Sequence, residues 1–271
     1  MSYLYLQQYA GVRASCSGFD TSAQTKFERH CHSNYELIYI LQGEGNYIVE
    51  GVDYPLHPHA LLLMRPYEYH YVCPRENQFY ERVVINFEAE ILPECLRTHP
   101  MLAGHHGNYF SLKSINNPIR GAYDLLTQLV PLSADGMQST PEAEALLRAT
   151  VTQILLLLTL ETPEKTISPE SDTVLRIIEY LNRHLCEEIS LDAIAHEFFI
   201  SKYHLCRMFR QQTGASIFTY FNTKRMALAQ QMLNAGENAT TVALRLGFRD
   251  YSTFYRAYRK QTGESPVRKI Q

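Results

Sequence analysis

The sequence predicts an α+β multidomain chain: a β-barrel or sandwich followed by two helices, then an all-α domain made of two helix-turn-helix units. Three observations carry this. Short apolar segments recur about every ten residues through the first ninety positions, separated by Gly, Pro and Asp. Thr162 to Ser171 then forms a polar stretch with two prolines and no periodicity. Beyond it, Phe209-Arg-Gln-Gln-Thr-Gly-Ala-Ser216 returns as Tyr258-Arg-Lys-Gln-Thr-Gly-Glu-Ser265, an internal repeat at an offset of 49 residues. The expected organisation is one domain at 1–161, a linker at 162–171 and a second domain at 172–271.

In the first domain, Tyr35 to Leu41 is rich in β-branched and aromatic residues and stops at Gln42-Gly43-Glu44-Gly45, a turn signal. Strands are expected next at Asn46–Glu50, Ala60–Met64, Tyr69–Val72 and Glu81–Phe87, with Gly51-Val52-Asp53 as another turn. Helical spacing then takes over. Ile119, Tyr123, Leu126 and Val130 share one face. Ser139-Thr140-Pro141-Glu142 offers a cap and an early proline, and Leu147, Val151, Ile154 and Leu158 form the stripe that follows. These two helices, within 118–161, are expected to cover the barrel or to join two copies as a homodimer.

Composition excludes several classes. With 45% hydrophobic and 20% charged residues the chain reads as a soluble globular protein. The longest purely apolar runs, Ala60 to Met64 and Ile154 to Leu158, fall far short of the roughly 18 residues of a membrane span. The N-terminus has no basic residue before its apolar patch and does not read as a signal peptide. Cys16, Cys31, Cys73, Cys95, Cys186 and Cys206 form no CxxC pair and are expected as free thiols in the cytoplasm. The net charge of −3 argues against a nucleic-acid partner until it is divided. Residues 1–171 hold 11 Lys and Arg against 19 Asp and Glu, net −8. Residues 172–271 hold 14 against 9, net +5, so the second domain alone suits an anionic partner.

Each copy of the repeat reads as helix, tight turn, helix. In the first, Ser190 caps a helix through Leu191, Ile194 and Ala195, a turn follows at Phe199-Ile200, and Ser201 caps Lys202 to Gln212, closed by Gly214. In the second, Thr240 or Thr241 caps a helix through Val242, Ala243 and Leu246, Gly247 makes the turn, and Asp250 caps Tyr251 to Gln261, closed by Gly263. Leu205, Met208, Phe209, Phe254 and Tyr258 are the expected inward positions. That leaves Lys202, Tyr203, Cys206, Arg207 and Arg210 outward on one second helix, and Tyr251, Ser252, Tyr255, Arg256 and Arg259 on the other. Arginine at the same register of both suits major-groove readout, because its fork matches guanine O6 and N7. Lys, Tyr and Ser near a helix start suit phosphates or base edges. A helix across 216–236 would hold the two units at fixed separation.

Ser190-Leu-Asp-Ala-Ile-Ala195, Ser201-Lys-Tyr-His-Leu-Cys-Arg-Met-Phe209, Thr213-Gly214, Ala243-Leu-Arg-Leu-Gly-Phe248, Phe254-Tyr-Arg-Ala-Tyr258 and Gly263-Glu-Ser-Pro266 resemble the AraC/XylS family of transcription regulators. The resemblance implies seven helices, two DNA-binding units, double-stranded promoter DNA as partner, and RNA polymerase as a further partner of an activator. Phe199 departs from it, standing where a small residue is commoner, as does Cys206 at a base-reading position.

The first half resembles the family's effector domain, a cupin-like barrel. His30-x-His32-x3-Glu36-x6-Gly43, with His70 further on, follows the cupin metal pattern. His-x-His puts both rings on one face of a strand. Together with Glu36 and His70 they suit a divalent Fe, Mn, Ni or Zn ion, or hydrogen bonds to a small polar effector such as a sugar, or a purely structural place at the barrel mouth. Pro58-His59-Ala60 and Pro66-Tyr-Glu-Tyr-His70 depart from the cupin pattern in lacking glycine. The expected function is sequence-specific DNA binding that regulates transcription in response to an effector, with no catalytic residue. The alternative is a metal-dependent cupin enzyme with an appended helical domain.

Overall fold

The computed structural model describes residues 2–22, 27–103, 109–112, 117–124, 140–163 and 169–267. Among the described residues nine strands make two facing sheets. One has the order β1 (Tyr3–Tyr9), β2 (Val12–Asp20), β8 (Phe79–Phe87), β3 (Tyr35–Gln42), β6 (Ala60–Met64), β9 (Tyr109–Ser111). The other has the order β5 (Val52–Leu56), β4 (Gly45–Val49), β7 (His70–Pro74). All paired neighbours are antiparallel.

The continuous apolar run of β6 is explained by burial on both faces. Leu61 and Leu63 point outward, with Leu37 and Tyr39 of β3 and Val83 and Ile85 of β8. Ala60, Leu62 and Met64 point inward, against Tyr47 and Val49 of β4 and Val52 and Tyr54 of β5. The outer layer is roofed by helices. After α1 (Glu94–Arg97) and α2 (Pro100–Ala103) come α3, described over 118–124, and α4 (Pro141–Leu158). Thr140 caps α4 by accepting from the Ala143 amide at 3.2 Å, with Pro141 in the first turn. Leu147, Val151, Ile154 and Leu158, the expected stripe, are all buried in this cluster with Ile119 and Tyr123 of α3. Leu126 and Val130 lie outside the described residues.

The sequence reading needs correction in places. Gly51 turns the chain, but Val52 and Asp53 already belong to β5, whose Pro55 is tolerated because β5 is a sheet edge. His30 and His32 do not lie on a strand. They sit on an irregular segment tied to β7 by one bridge, His30 to His70. The glycine-free turns at His59 and Tyr67 take φ of 69° and 66°, the left-handed values that glycine would supply freely.

The second domain holds α5 (Pro169–Arg183), α6 (Leu191–Glu197), α7 (Lys202–Thr213), α8 (Ile217–Asn234), α9 (Ala239–Arg245) and α10 (Tyr251–Thr262), six helices among the described residues against the seven implied. Helix α5 begins at Pro169, three positions inside the stretch read as linker, since proline fits a first helical turn. Residues 164–168 lie outside the described residues. Helix α8 serves two cores. Ile217, Tyr220 and Phe221 pack with Leu205 and Phe209 of α7, whereas Met226, Ala229 and Met232 pack with Val242, Leu246, Phe254 and Tyr258 of the second unit. Its 18 residues span about 27 Å at 1.5 Å per residue.

Candidate functional site

The two repeat units are built alike. Ser201 caps α7 by accepting from the His204 amide at 3.2 Å, and Asp250 caps α10 by accepting from the Thr253 amide at 2.8 Å. Gly214 and Gly263 close them with φ of 72° and 75°. The cap of α9 is Asn238, which accepts from the Thr240 amide at 2.8 Å, rather than Thr240 or Thr241. Asparagine begins the helix two residues earlier and brings Ala239 into the core.

Lys202, Tyr203, Cys206, Arg207 and Arg210 are exposed on α7, and Ser252, Arg256 and Arg259 on α10. Tyr251 and Tyr255 are half-buried; their rings meet at a tilt along the helix, 6.2 Å apart, and Tyr251 also leans on Phe254. Met208, read as inward, is also only half-buried. Lys202 is paired with Asp192 at 2.9 Å. Arg256 lies along its own helix, 3.4 Å from the Ser252 carbonyl and from Thr253 Oγ1. Both arginine registers therefore face solvent on one basic domain.

In the barrel, His30, His32, His70 and Glu36 do come together. The three imidazoles offer nitrogens all within 4.8 Å of one another. Each Nδ1 faces a backbone carbonyl: Glu28 at 3.0 Å for His30, Asn34 at 2.9 Å for His32, Glu68 at 2.7 Å for His70. A carbonyl only accepts, so each Nδ1 carries the proton and each Nε2 is turned inward. Glu36 Oε2 is 3.2 Å from His32 Nε2 and accepts from Asn86 Nδ2 at 2.6 Å, and its Oε1 is 3.4 Å from His70 Nε2. Burial pushes the Glu36 carboxyl up, but hydrogen bonds and charge from His32 and His70 overcome this and hold it well below the usual carboxylate range. For His70 burial acts downward, yet the facing Glu36 carboxylate prevails and raises it. His30 is lowered, first by burial and then by His70. On one side of the cluster lies a cavity of about 450 Å³ that also reaches Arg13, Asn34 and Asn86. On the other is one of about 350 Å³ lined by Phe27, Tyr47 and Arg82.

Two sequence families cover this architecture. A helix-turn-helix domain matches residues 194–269, and an AraC-like ligand binding domain matches residues 14–155, just over half of the chain. The chain belongs to the AraC/XylS family of transcription regulators. It is 24% identical over 246 residues to the HTH-type transcriptional activator RhaS of Escherichia coli O81 (strain ED1a), covering 90% of this chain and 87% of that protein. Identity to the RhaS of Klebsiella pneumoniae (strain 342) is also 24%, over 252 residues and with the same coverage. Among solved structures, unsaturated fatty acid-bound ToxT from Vibrio cholerae strain SCE256 is 12% identical, covers 96% of this chain and 95% of its own, and has a TM-score of 0.45. The DNA-binding domain of AdpA in complex with a target DNA is 28% identical over 34% of this chain and 84% of its own, with a TM-score of 0.33.

In this family member, sequence reasoning missed the seam between the barrel and the DNA-binding domain. Glu50, in the β4–β5 turn, pairs with Lys224 of α8 at 2.7 Å and accepts from the Tyr220 hydroxyl. Lys224 is buried and also donates to Asn182 Oδ1 at 2.8 Å. Tyr69 and Tyr71 enter the same apolar cluster as Val174, Ile178 and Tyr220. A lysine amid helical apolar residues carries no mark in the sequence that it will be desolvated by a turn 174 positions away.

Proposed function

We propose that this chain is a cytoplasmic regulator that reads promoter DNA with α7 and α10, answers a small polar effector held at His30, His32, Glu36 and His70, and catalyses nothing. The reading rests on one observation above all: Arg207 with Arg210, and Arg256 with Arg259, stand exposed at matching positions of two duplicated, capped helices on a domain of net +5. Lys202, Tyr203, Cys206, Tyr251, Ser252 and Tyr255 would complete the reading faces through phosphates and base edges. A cavity of about 450 Å³ beside the histidines is the size of ordinary small-molecule sites. Imidazole and carboxylate groups suit the hydroxyls of a sugar.

Two copies would join through the helices in 118–161. Helix α4 spends its main stripe on its own barrel, yet Leu146, Leu156 and Leu160 remain exposed, Leu160 at 81%. As an activator the dimer would contact RNA polymerase. Among the described residues no helix is long and apolar enough to cross a membrane. Gel-shift titration of the full chain against fragments of its own genome tests the assignment. Specific binding whose affinity falls steeply with salt is expected. Absence of a preferred fragment at any salt concentration overturns it.

A further inference from the structure

The two chain segments that carry the histidines present them on one side and hold the DNA-binding domain on the other. Either side of the single His30–His70 bridge, the neighbours Arg29, Tyr69 and Tyr71 turn to the DNA-binding domain while the histidine rings meet one another. The histidines face the cluster. Arg29 lies over the Tyr71 ring at 4.6 Å, and both abut Gly214, where a Cβ would come 2.8 Å from Arg29 Nε and 2.7 Å from Tyr71 Oη. Gly214 is the C-cap of α7, the first reading helix. The Tyr69 ring meets that of Tyr220 at 5.1 Å.

The cluster itself has the chemistry of a cation site. Each Nδ1 is held by a backbone carbonyl, the Nε2 atoms of His32 and His70 meet the buried Glu36 carboxylate, and the His30 ring lies beside them, the arrangement in which outer hydrogen bonds orient metal-binding imidazoles once a cation displaces the Nε2 protons. His70 Nε2 is fully buried, with Glu36 Oε1 3.4 Å away. The donor set, three imidazole nitrogens and one carboxylate, fits a divalent first-row ion.

We propose that a divalent first-row cation held by His30, His32, His70 and Glu36 clamps the 27–34 segment to β7 and so docks the DNA-binding domain on the barrel. The proposal rests on the reading of this cluster as the effector site and places the ion there as the group against which the polar effector is held. Without the ion the segment is joined to β7 by the reciprocal His30 and His70 backbone pair, at 3.2 and 2.9 Å, and by Tyr67 N donating to His32 O at 2.8 Å. A shared ion adds side-chain bonds across the same gap and orders Arg29 and Cys31 behind it. The arginines of α7 and α10 stay exposed in this docked arrangement, so docking fixes their orientation relative to the barrel without covering them.

The test is a Co²⁺ titration of the full chain under a non-thiol reductant, read by absorption and by hydrogen exchange. We expect one ion per chain with a nitrogen and oxygen ligand field and no thiolate charge-transfer band, and binding lost in His32→Gln. Peptides covering Gly214 and the Glu50–Gly51 turn should exchange more slowly in the loaded protein. Because coupling is reciprocal, loosening the seam by Arg29→Ala with Glu50→Gln, at residues outside the ligand set, should weaken Co²⁺ binding by about fivefold or more. Stoichiometric binding with unchanged affinity in the seam variant and unchanged exchange overturns the docking mechanism and leaves the effector site standing. No binding, or a thiolate band, overturns the metal proposal. The effector-site reading then fails separately if His32→Gln leaves the transcriptional response intact.

Discussion

The two turns between paired helices make opposite demands on the same backbone shape. Phe199 and Gly247 occupy equivalent positions and both take left-handed φ, 54° and 69°. An L-residue there costs about 1–2 kcal/mol, and glycine instead forfeits about 0.4–1 kcal/mol through the freedom of its unfolded chain. Phe199 is 92% exposed, so its side chain contributes little packing in return. Phe199→Gly should therefore stabilise the helical domain by about 0.5 kcal/mol, or roughly 2–4 °C in melting temperature for a domain of this size. Gly247 differs in its surroundings: a Cβ would stand 2.6 Å from the Cys186 carbonyl oxygen, which is backbone and does not swing aside. Gly247→Ala carries both the conformational cost and this clash, and should destabilise by about 1–3 kcal/mol. The assay is thermal unfolding of the full chain followed at 222 nm, with duplex binding at low temperature as control for a native fold. Both variants moving the melting temperature in the same direction would refute the reasoning, because it assigns the two positions opposite signs.

Other outcomes follow from the same structure. Arg207→Ala and Arg256→Ala should each weaken binding to the preferred fragment by about 1–3 kcal/mol and relax discrimination at one base pair; an equal loss on all sequences in a gel-shift series reassigns them to phosphates. Lys224→Met leaves Glu50 charged at the seam without its main partner, and Tyr220 beside it; loss of a buried partner costs about 3–5 kcal/mol, which chemical denaturation measures, and a loss below 1 kcal/mol means the pair is well solvated. The Asp250 carboxyl sits below its ordinary value because backbone and side-chain hydrogen bonds from Thr253 favour its charged form. Its cap on α10 is thus complete above the unfolded carboxyl value of about 4 and is lost as pH falls through the lower folded value; Asp250→Asn should flatten that part of the stability profile in acid titrations. Leu156→Glu with Leu160→Glu should abolish the proposed dimer in sedimentation velocity while leaving the barrel folded, since both side chains are exposed; an unchanged sedimentation coefficient places any dimer contact elsewhere.

Much of the helical half is legible because its signals are local. A Ser or Asp cap, a closing glycine and an apolar stripe act within one turn of helix, so Ser201, Gly214, Asp250 and Gly263 mark α7 and α10 wherever the domain is placed. Where two cap residues compete within a few positions, as Asn238 does with Thr240, the one that brings Ala239 into the core wins, and that core is tertiary. Strands β1 and β2 are harder to see. Tyr3 to Tyr9 alternates weakly, and its place comes from pairing with Val12 to Gly18, which only the hairpin at Gly11 supplies.

The division of labour between domains was already determined by the sequence: the change from period-two to helical spacing, the duplicated unit and the split of −3 into −8 and +5 depend on composition and short-range order alone. Tertiary structure decided what the cluster and the seam are. His70 reaches His30 and His32 because β7 returns beside their segment, which turns three scattered histidines into one convergent set with its protons fixed by backbone carbonyls. Glu50 meets Lys224 only when a β-turn closes over α8, and that desolvation is what turns two ordinary charges into a buried pair. Such contacts arise from the free energy of the whole packed chain, and no window of residues contains them.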